Sequence, residues 1–293
     1  MKFGKVENPQ LVDFTLPQTK KESFEVLNKY KSNNDLAVFV GCAKWNKQDL
    51  KNFYPPKTKD ELTYYSTQFN SIEMNATFYR APSKANVETW ASKTPKDFKF
   101  FPKIPQSISH YGRLQNITDK LNEFLDAVAL FEDKLGMIFL QMHENFAPKD
   151  FDKLENFVNH FPKGYPLAVE VRHEDWFSKP QYFEQLTNLL QENQVSNIIV
   201  DTAGRRDMVH MRLTSADAFV RFVGANDASD YERLDEWISV IKDWKNEGLQ
   251  NLYFFIHQNM EVESPLLATH FIKNLNKELN LTIRGPQETL TLF

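Results

Sequence analysis

Eight short runs rich in Val, Ile, Phe and Tyr recur through this chain, separated by longer segments whose apolar residues repeat at helical spacing. That alternation is the strongest constraint on the fold. Strands separated by helices do not pair as hairpins, so the pattern calls for a parallel sheet covered by helices. The runs fall at 38–42, 71–78, 99–104, 136–142, 167–171, 196–201, 219–223 and 252–256. Eight strands are what a closed (β/α)8 TIM barrel requires, and about 250 residues suffice for one. The expectation is therefore an α/β chain with a single TIM-barrel domain over 37–293. Residues 1–36, polar and rich in Lys and Asn, read as an N-terminal extension with one short helix near 23–31.

The intervening segments carry amphipathic stripes. Leu121, Phe124, Leu125, Val128 and Phe131 share one face, as do Phe183, Leu186, Leu189 and Leu190. Tyr231, Leu234, Trp237, Ile238, Ile241 and Trp244 form the most aromatic stripe, which opens on Ser229 and Glu232 spaced as a capping box. Ser264 before Pro265 reads as an N-cap with proline in the first turn. These residues are expected to be core. The connection from Asp201 to Phe219 lacks a long amphipathic segment, so it should be irregular or hold a very short helix.

Composition narrows the function classes. The single cysteine, Cys42, can make no internal disulfide, and no Cys cluster exists to hold zinc or iron–sulfur. The start, Met1 to Glu7, has no signal-peptide stretch, and no run of about 18 apolar residues occurs. A cytoplasmic protein with no membrane partner is expected. A formal net charge of −4 argues against wholesale nucleic-acid binding, though it does not speak to one local cleft.

Sites in β/α barrels are built at the C-terminal ends of the strands. That rule selects Glu73, Asn75 and Tyr79 from the second strand, Lys103 from the third with His110 and Arg113 beyond it, and Gln141 with His143 from the fourth. It also selects Glu170 and Arg172, Asp201, Arg221, and His257 with Asn259. Charged groups at the ends of so many strands are costly unless paired or used. Structural pairs such as Glu170 with Arg172, or Glu73 with Lys103, would account for part of the set. Lys44, Lys103, Arg172 and Arg221 converging on one mouth would suit a carboxylate or phosphate. Trp45, Tyr54 and Tyr79 offer ring faces, and backbone N–H groups at Gly224-Ala225-Asn226 fall where barrels often bind phosphate.

Beyond this reading, the chain resembles the YecE-like family, also called the domain-of-unknown-function 72 family, from about Phe39 to Asn259. The block from Phe69 to Tyr79 is similar to its Phe-x-x-(Val/Ile)-Glu-x-Asn-x-(Ser/Thr)-Phe-Tyr signature. Phe53-Tyr54-Pro55, Trp90, Thr94-Pro95, Phe98, Lys103-x-Pro105, His110, Leu140-Gln141 and Glu170-Val171-Arg172-His173 with Trp176 resemble further landmarks. Gly41-Cys42-Ala43-Lys44-Trp45 departs from the family's Gly-Thr-Ser-Gly-Trp, and Val223 replaces its His before Gly224. His143-Glu144, Asp175 and His257-Gln258 depart too. The resemblance implies the barrel and brings no reaction with it.

Three functions compete. In the first, the mouth binds a small anionic substrate, and a hydrolase or lyase reaction uses Glu73 or Glu170 as base and His110 or Lys103 as acid, with Asp201 in the catalytic set. Lys44, Trp45, Asn75, Tyr79, Gln141, Arg172, Arg221 and His257 would bind the ligand. In the second, His143, Glu170, Asp201 and His257 hold a divalent metal in a phosphodiesterase or nuclease-like barrel, with a nucleic-acid groove around Lys44, Trp45, Arg113, Arg205 and Arg206. No His-x-His or His-Glu-x-x-His motif supports a metal, so no cofactor is expected. In the third, the same cavity binds a metabolite without turnover.

Overall fold

The computed structural model of the chain describes residues 4–31 and 36–286. Its strands are β1 (Ala37–Cys42), β2 (Ser71–Met74), β3 (Lys99–Pro102), β4 (Ile138–Gln141), β5 (Leu167–Glu170), β6 (Ser196–Asn197), β7 (Ile199–Asp201), β8 (Asp217–Gly224) and β9 (Asn251–Gln258). Its α-helices are α1 (Lys21–Leu27), α2 (Glu61–Gln68), α3 (Ala76–Tyr79), α4 (Lys84–Ser92), α5 (Gln106–Ser109), α6 (Thr118–Val128), α7 (Phe151–His160), α8 (Asp175–Ser178), α9 (Pro180–Glu192), α10 (Ser229–Glu247) and α11 (Ser264–Leu279). The run expected at 196–201 is two strands broken at Ile198: β6 pairs with β5, and β7 with β8. The second strand stops at Met74, and Tyr79 ends a helical turn instead of prolonging the strand.

All ladders are parallel, in three sheets ordered β1-β9-β8-β7, β2-β3 and β4-β5-β6. The sheets do not close into one continuous ladder. Two isolated bridges, Phe100 to Leu135 and Lys103 to Phe139, link β3 to β4. Between β1 and β2 a side chain replaces the ladder. Asn70 donates to the Val38 carbonyl at 2.8 Å and accepts from the Val40 N–H at 3.0 Å. The Tyr65 hydroxyl likewise accepts from the Cys42 N–H and donates to the Ser71 carbonyl. Gly41 allows this approach, because a Cβ there would meet the Ser71 oxygen at 2.3 Å.

Two apolar clusters lie on opposite faces of the strands. The larger packs the helices onto the strands and contains the stripes of α6, α9 and α10, including Phe124, Leu190 and Trp237. The smaller gathers Phe101, Phe139, Ala168, Ile198, Val200, Phe219 and Phe255, with Phe39 against it. Side chains alternate across a strand, so each of these marks one face of its strand. This parity decides which strand-end residues can meet.

Helix starts differ in detail from the expected caps. Ser229 does not cap α10; Asp227 accepts from both the N–H and the hydroxyl of Ser229 at 3.0 and 2.8 Å. Ser264 is the first residue of α11 and donates to Glu261 at 2.7 Å. Among the described residues, the connection from β7 to β8 holds one 3-10 turn, Arg206–Met208, and no α-helix. No helix is long and apolar enough to cross a membrane among the described residues.

The N-terminal segment packs onto α10 and the loop after β7. Leu16 donates its N–H to Glu236, Trp244 donates to the Thr19 hydroxyl, and Ser23 of α1 bonds to Met211 and Leu213.

Candidate functional site

Five of the strands that contribute to the smaller apolar cluster carry a polar residue two positions further on. Phe101 leads to Lys103, Phe139 to Gln141, Ala168 to Glu170, Phe219 to Arg221 and Phe255 to His257. Glu73 sits beside Phe101 in the β2–β3 register and joins the same layer. The apolar layer therefore fills the space between the strands, and a polar layer covers it at their C-terminal ends. Above the polar layer opens a cavity of about 1240 Å³.

One hydrogen-bonded network connects six strands across that floor. Arg221 grips Glu73 with Nε and Nη2, both at 2.9 Å, and reaches Glu170 with Nη1 at 2.6 Å. Asn75 donates to Glu73 Oε1 at 2.7 Å, the oxygen that also accepts from Arg221 Nη2, and His257 Nε2 lies 3.0 Å from Glu73 Oε2. Arg172 donates to Glu170 at 2.6 Å. Gln141 gives its amide N–H to Glu170 at 2.8 Å and accepts from Lys103 Nζ at 2.7 Å. These partners fix the orientation of the amide.

Burial alone would raise both carboxylates. Their partners prevail: Arg221, with the hydrogen-bonded His257, holds Glu73 well below the usual range, and Arg172 with Arg221 pulls Glu170 down to about 2. Both stay ionised at neutral pH and make weak bases. Guanidinium groups engage both carboxylates, which weighs against the expected role of Glu73 or Glu170 as general base. Their structural task is to neutralise Arg221, which they in turn keep protonated.

Lys103 is the opposite case. Glu73 and Glu170 balance Arg172 and Arg221, so a proton on Lys103 is in excess. The side chain is 3% exposed, and Nζ lies 4.0 Å from the centre of the Phe78 ring. Burial, then the neighbouring Arg221 and Arg172, lower its amine to about 7. Glu73 pairs with Arg221 and not with Lys103, contrary to one expected ion pair.

At the mouth, His110 stands edge-on to Phe78 and to His143, with ring centres 4.8 and 5.0 Å away. Burial and the nearby His143 and Lys103 lower His110 to about 4, so it is neutral at pH 7. This weighs against His110 as the expected standing acid and leaves it able to relay a proton. Lys44 pairs with Asp49 at 3.0 Å, and Trp45 packs on Trp90. Both line the cavity with Asn75 and Tyr79, the latter 73% exposed.

Asp201 is not part of this site. Its neighbour Val200 faces the cavity, so Asp201 points to the opposite side of β7. There it bonds to Arg206, to Arg233 at 2.8 Å and to the Trp237 indole at 2.8 Å. Arg233 and Arg206 overcome its burial and keep it ionised. Its expected catalytic role is thereby corrected, and so is the metal set His143, Glu170, Asp201 and His257. Among the described residues no group of three or more His, Cys, Asp or Glu side chains is arranged to hold a metal ion.

The expected phosphate cradle is also already filled. The N–H groups of Ala225, Asn226 and Asp227 point at the carboxylate of Asp230, at 3.0, 3.0 and 3.3 Å. Of the basic groove, Lys44 and Arg113 line the cavity, and Arg113 pairs with Asp150 at 2.8 Å. Arg205 turns to Asp207 and Arg206 to Asp201. Cys42 is buried, and burial pushes its thiol well up, so it is not a nucleophile. Phe78 escaped the sequence reading although it follows from the same motif as Tyr79; its ring borders both Lys103 and His110.

The profile of the family described as "Protein of unknown function DUF72" matches residues 39–290. The chain is 29% identical over 264 residues to the UPF0759 protein YecE of Escherichia coli strain K12, covering 83% of this chain and 94% of that protein. It is 30% identical over 206 residues to the UPF0759 protein YunF of Bacillus subtilis strain 168, covering 64% and 71%. Among solved structures, a DUF72 family protein of Thermotoga maritima superposes with a TM-score of 0.66 at 24% identity, over 82% of this chain and 99% of that one. A second, from Enterococcus faecalis, gives 0.66 at 21% identity, over 86% and 99%. These likenesses extend across the strands that carry the polar floor, and on them the chain belongs to the DUF72 family.

Proposed function

We propose that the chain is a (β/α)8 barrel whose cavity binds a small organic anion, a carboxylate or phosphate, and that Lys103 is the acid–base group of the reaction performed there. The barrel reading is supported by the parallel strands, by the apolar cluster drawn from the strands' shared inner face, and by the side-chain and bridge contacts between the three sheets. The anion reading is supported by Lys44, Arg113 and Arg172 around the cavity wall.

One observation carries the assignment: a buried amine, tuned to about 7, on the floor of an open cavity. A catalytic group works best when its pKa lies near the operating pH, and of the residues expected to act as acid or base Lys103, expected as an acid, meets this. Glu73 and Glu170 act through Arg221 as positioning residues. The metal-dependent alternative is disfavoured, because Glu170 is held by two guanidinium groups and Asp201 faces away.

Calorimetry against a panel of phosphorylated and carboxylated metabolites tests the reading. At least one anion should bind, and Lys103→Met and Arg172→Ala should each weaken it by about tenfold or more, the scale of a lost charge-assisted bond. Binding that neither substitution affects would refute the site. Product analysis of the same mixtures then separates an enzyme from a binding protein.

A further inference from the structure

A buried lysine that serves only structure is ordinarily set against a carboxylate, because an unpaired buried cation is costly. Lys103 is not built that way. The carboxylates within its layer are taken by arginines, and Nζ donates to the neutral amide oxygen of Gln141 at 2.7 Å. The amine rests on the Phe78 ring and faces a cavity large enough for a small metabolite. Gln141 is itself held by Glu170, so the bond it accepts orients the nitrogen. Arg172 borders the same space. A desolvated amine beside other cations, aimed into a cavity, is the arrangement that makes lysine a nucleophile.

From this geometry we infer that Lys103 forms a Schiff base with the carbonyl carbon of a small anionic oxo compound, one that carries a carboxylate or phosphate near its C=O group. The inference rests on the anion-binding reading above and names its substrate class. The neutral amine adds its lone pair to the carbonyl carbon, and the C=O π pair moves to oxygen, which takes a proton. The nitrogen loses a proton, and the resulting carbinolamine expels its hydroxyl as water after a second protonation. His110, edge-on to the same Phe78 ring, is the proton relay. The product is a protonated imine, one C–N bond having formed and the C–O bond broken, with no change of oxidation state. The anionic group sits against Arg172, and the imine's positive charge lies where Glu170 and Glu73 already act on the Lys103 nitrogen.

The experiment uses the whole chain with two probes, pyruvate and glycolaldehyde phosphate, each with and without sodium borohydride. Intact mass and peptide mapping then locate any reduced adduct. The expected result is one adduct per chain on Lys103, enriched at least about tenfold over any other lysine at pH 7.5, where ordinary lysines are almost wholly protonated. Lys103→Arg, which keeps the charge but cannot form the imine, should abolish it while its melting temperature shows that it is folded. Because the wild-type map alone locates the adduct, the test does not depend on that variant. Calorimetry with the same probes separates two failures. Heat of binding without an adduct on Lys103, or adducts scattered over exposed lysines, overturns the Schiff base and leaves anion binding standing. Neither heat nor adduct from either probe overturns both.

Discussion

Two buried charge networks lie on opposite faces of adjacent strands, and they are built from the same residue types to different ends. On the outer face of β7, Asp201 and Asp230 share Arg233, whose guanidinium is sandwiched between the rings of Phe14 and Phe222 at 4.2 and 4.3 Å. Arg206 closes the edge and bonds to the Phe14 carbonyl. That network is capped by Phe14 of the N-terminal segment. On the inner face, Glu73 and Glu170 share Arg221 in the same manner, but a cavity lies above, and the network ends in an amine that donates to an amide. An arginine between two carboxylates is thus a general solution for burying charge. What marks the functional member of the pair is the group left over at its end.

The comparison breaks most visibly at the two central arginines. Arg221→Met leaves Glu73 and Glu170 buried without their shared cation and should destabilise the fold by about 3–5 kcal/mol, read from urea denaturation. Arg233→Met should cost a comparable amount by the same logic. A mild effect at Arg221 alone would mean the inner network is more open to water than the geometry indicates.

Asp201→Asn should cost somewhat less, about 2–3 kcal/mol, since it removes one charge but keeps the shape. It should leave ligand affinity at the cavity unchanged, which calorimetry with any anion found by the panel would check. Loss of affinity in this variant would place Asp201 back in the site.

Lys103→Met should act in the opposite sense. The folded-state pKa of about 7 lies below the ordinary value of 10.5, so between those values the unfolded chain holds a proton that the folded chain does not. Stability therefore rises with pH across that window, and the full penalty is present below 7. Removing the amine should stabilise the protein by about 1–3 kcal/mol at pH 6, with the gain shrinking toward pH 10. Melting temperatures over that range would show it. Phe14→Ala should have the smallest effect, about 1 kcal/mol, by uncovering one face of Arg233; a larger loss would mean that the N-terminal segment contributes more than a cap.

Much of this layout is legible in the sequence, and the failures have physical causes. Parallel strands leave period-two runs separated by helical stripes, and Glu73, Lys103, Gln141, Glu170, Arg221 and His257 stand at strand ends where a layer of one parity must bring them together. Asp201 misleads because β7 is buried on both faces. Ile198, Ile199 and Val200 are all apolar, so no alternation shows which face the next residue takes. The loop after β8 misleads because its three N–H groups look available until Asp230, beginning the next helix, is seen to fill them. The reversal of roles between Glu170 and Lys103 cannot be read from residue types at all, since it follows from which carboxylate each arginine reaches.

The most direct test of the central claim is a titration of the protein labelled with carbon-13 and nitrogen-15 in its lysines, followed by NMR from pH 5.5 to 11 beside Lys103→Met. One lysine should show a midpoint near 7, absent from the variant. If no lysine titrates near 7, Lys103 carries its proton at neutral pH, and it is neither the acid–base group nor the nucleophile of this cavity.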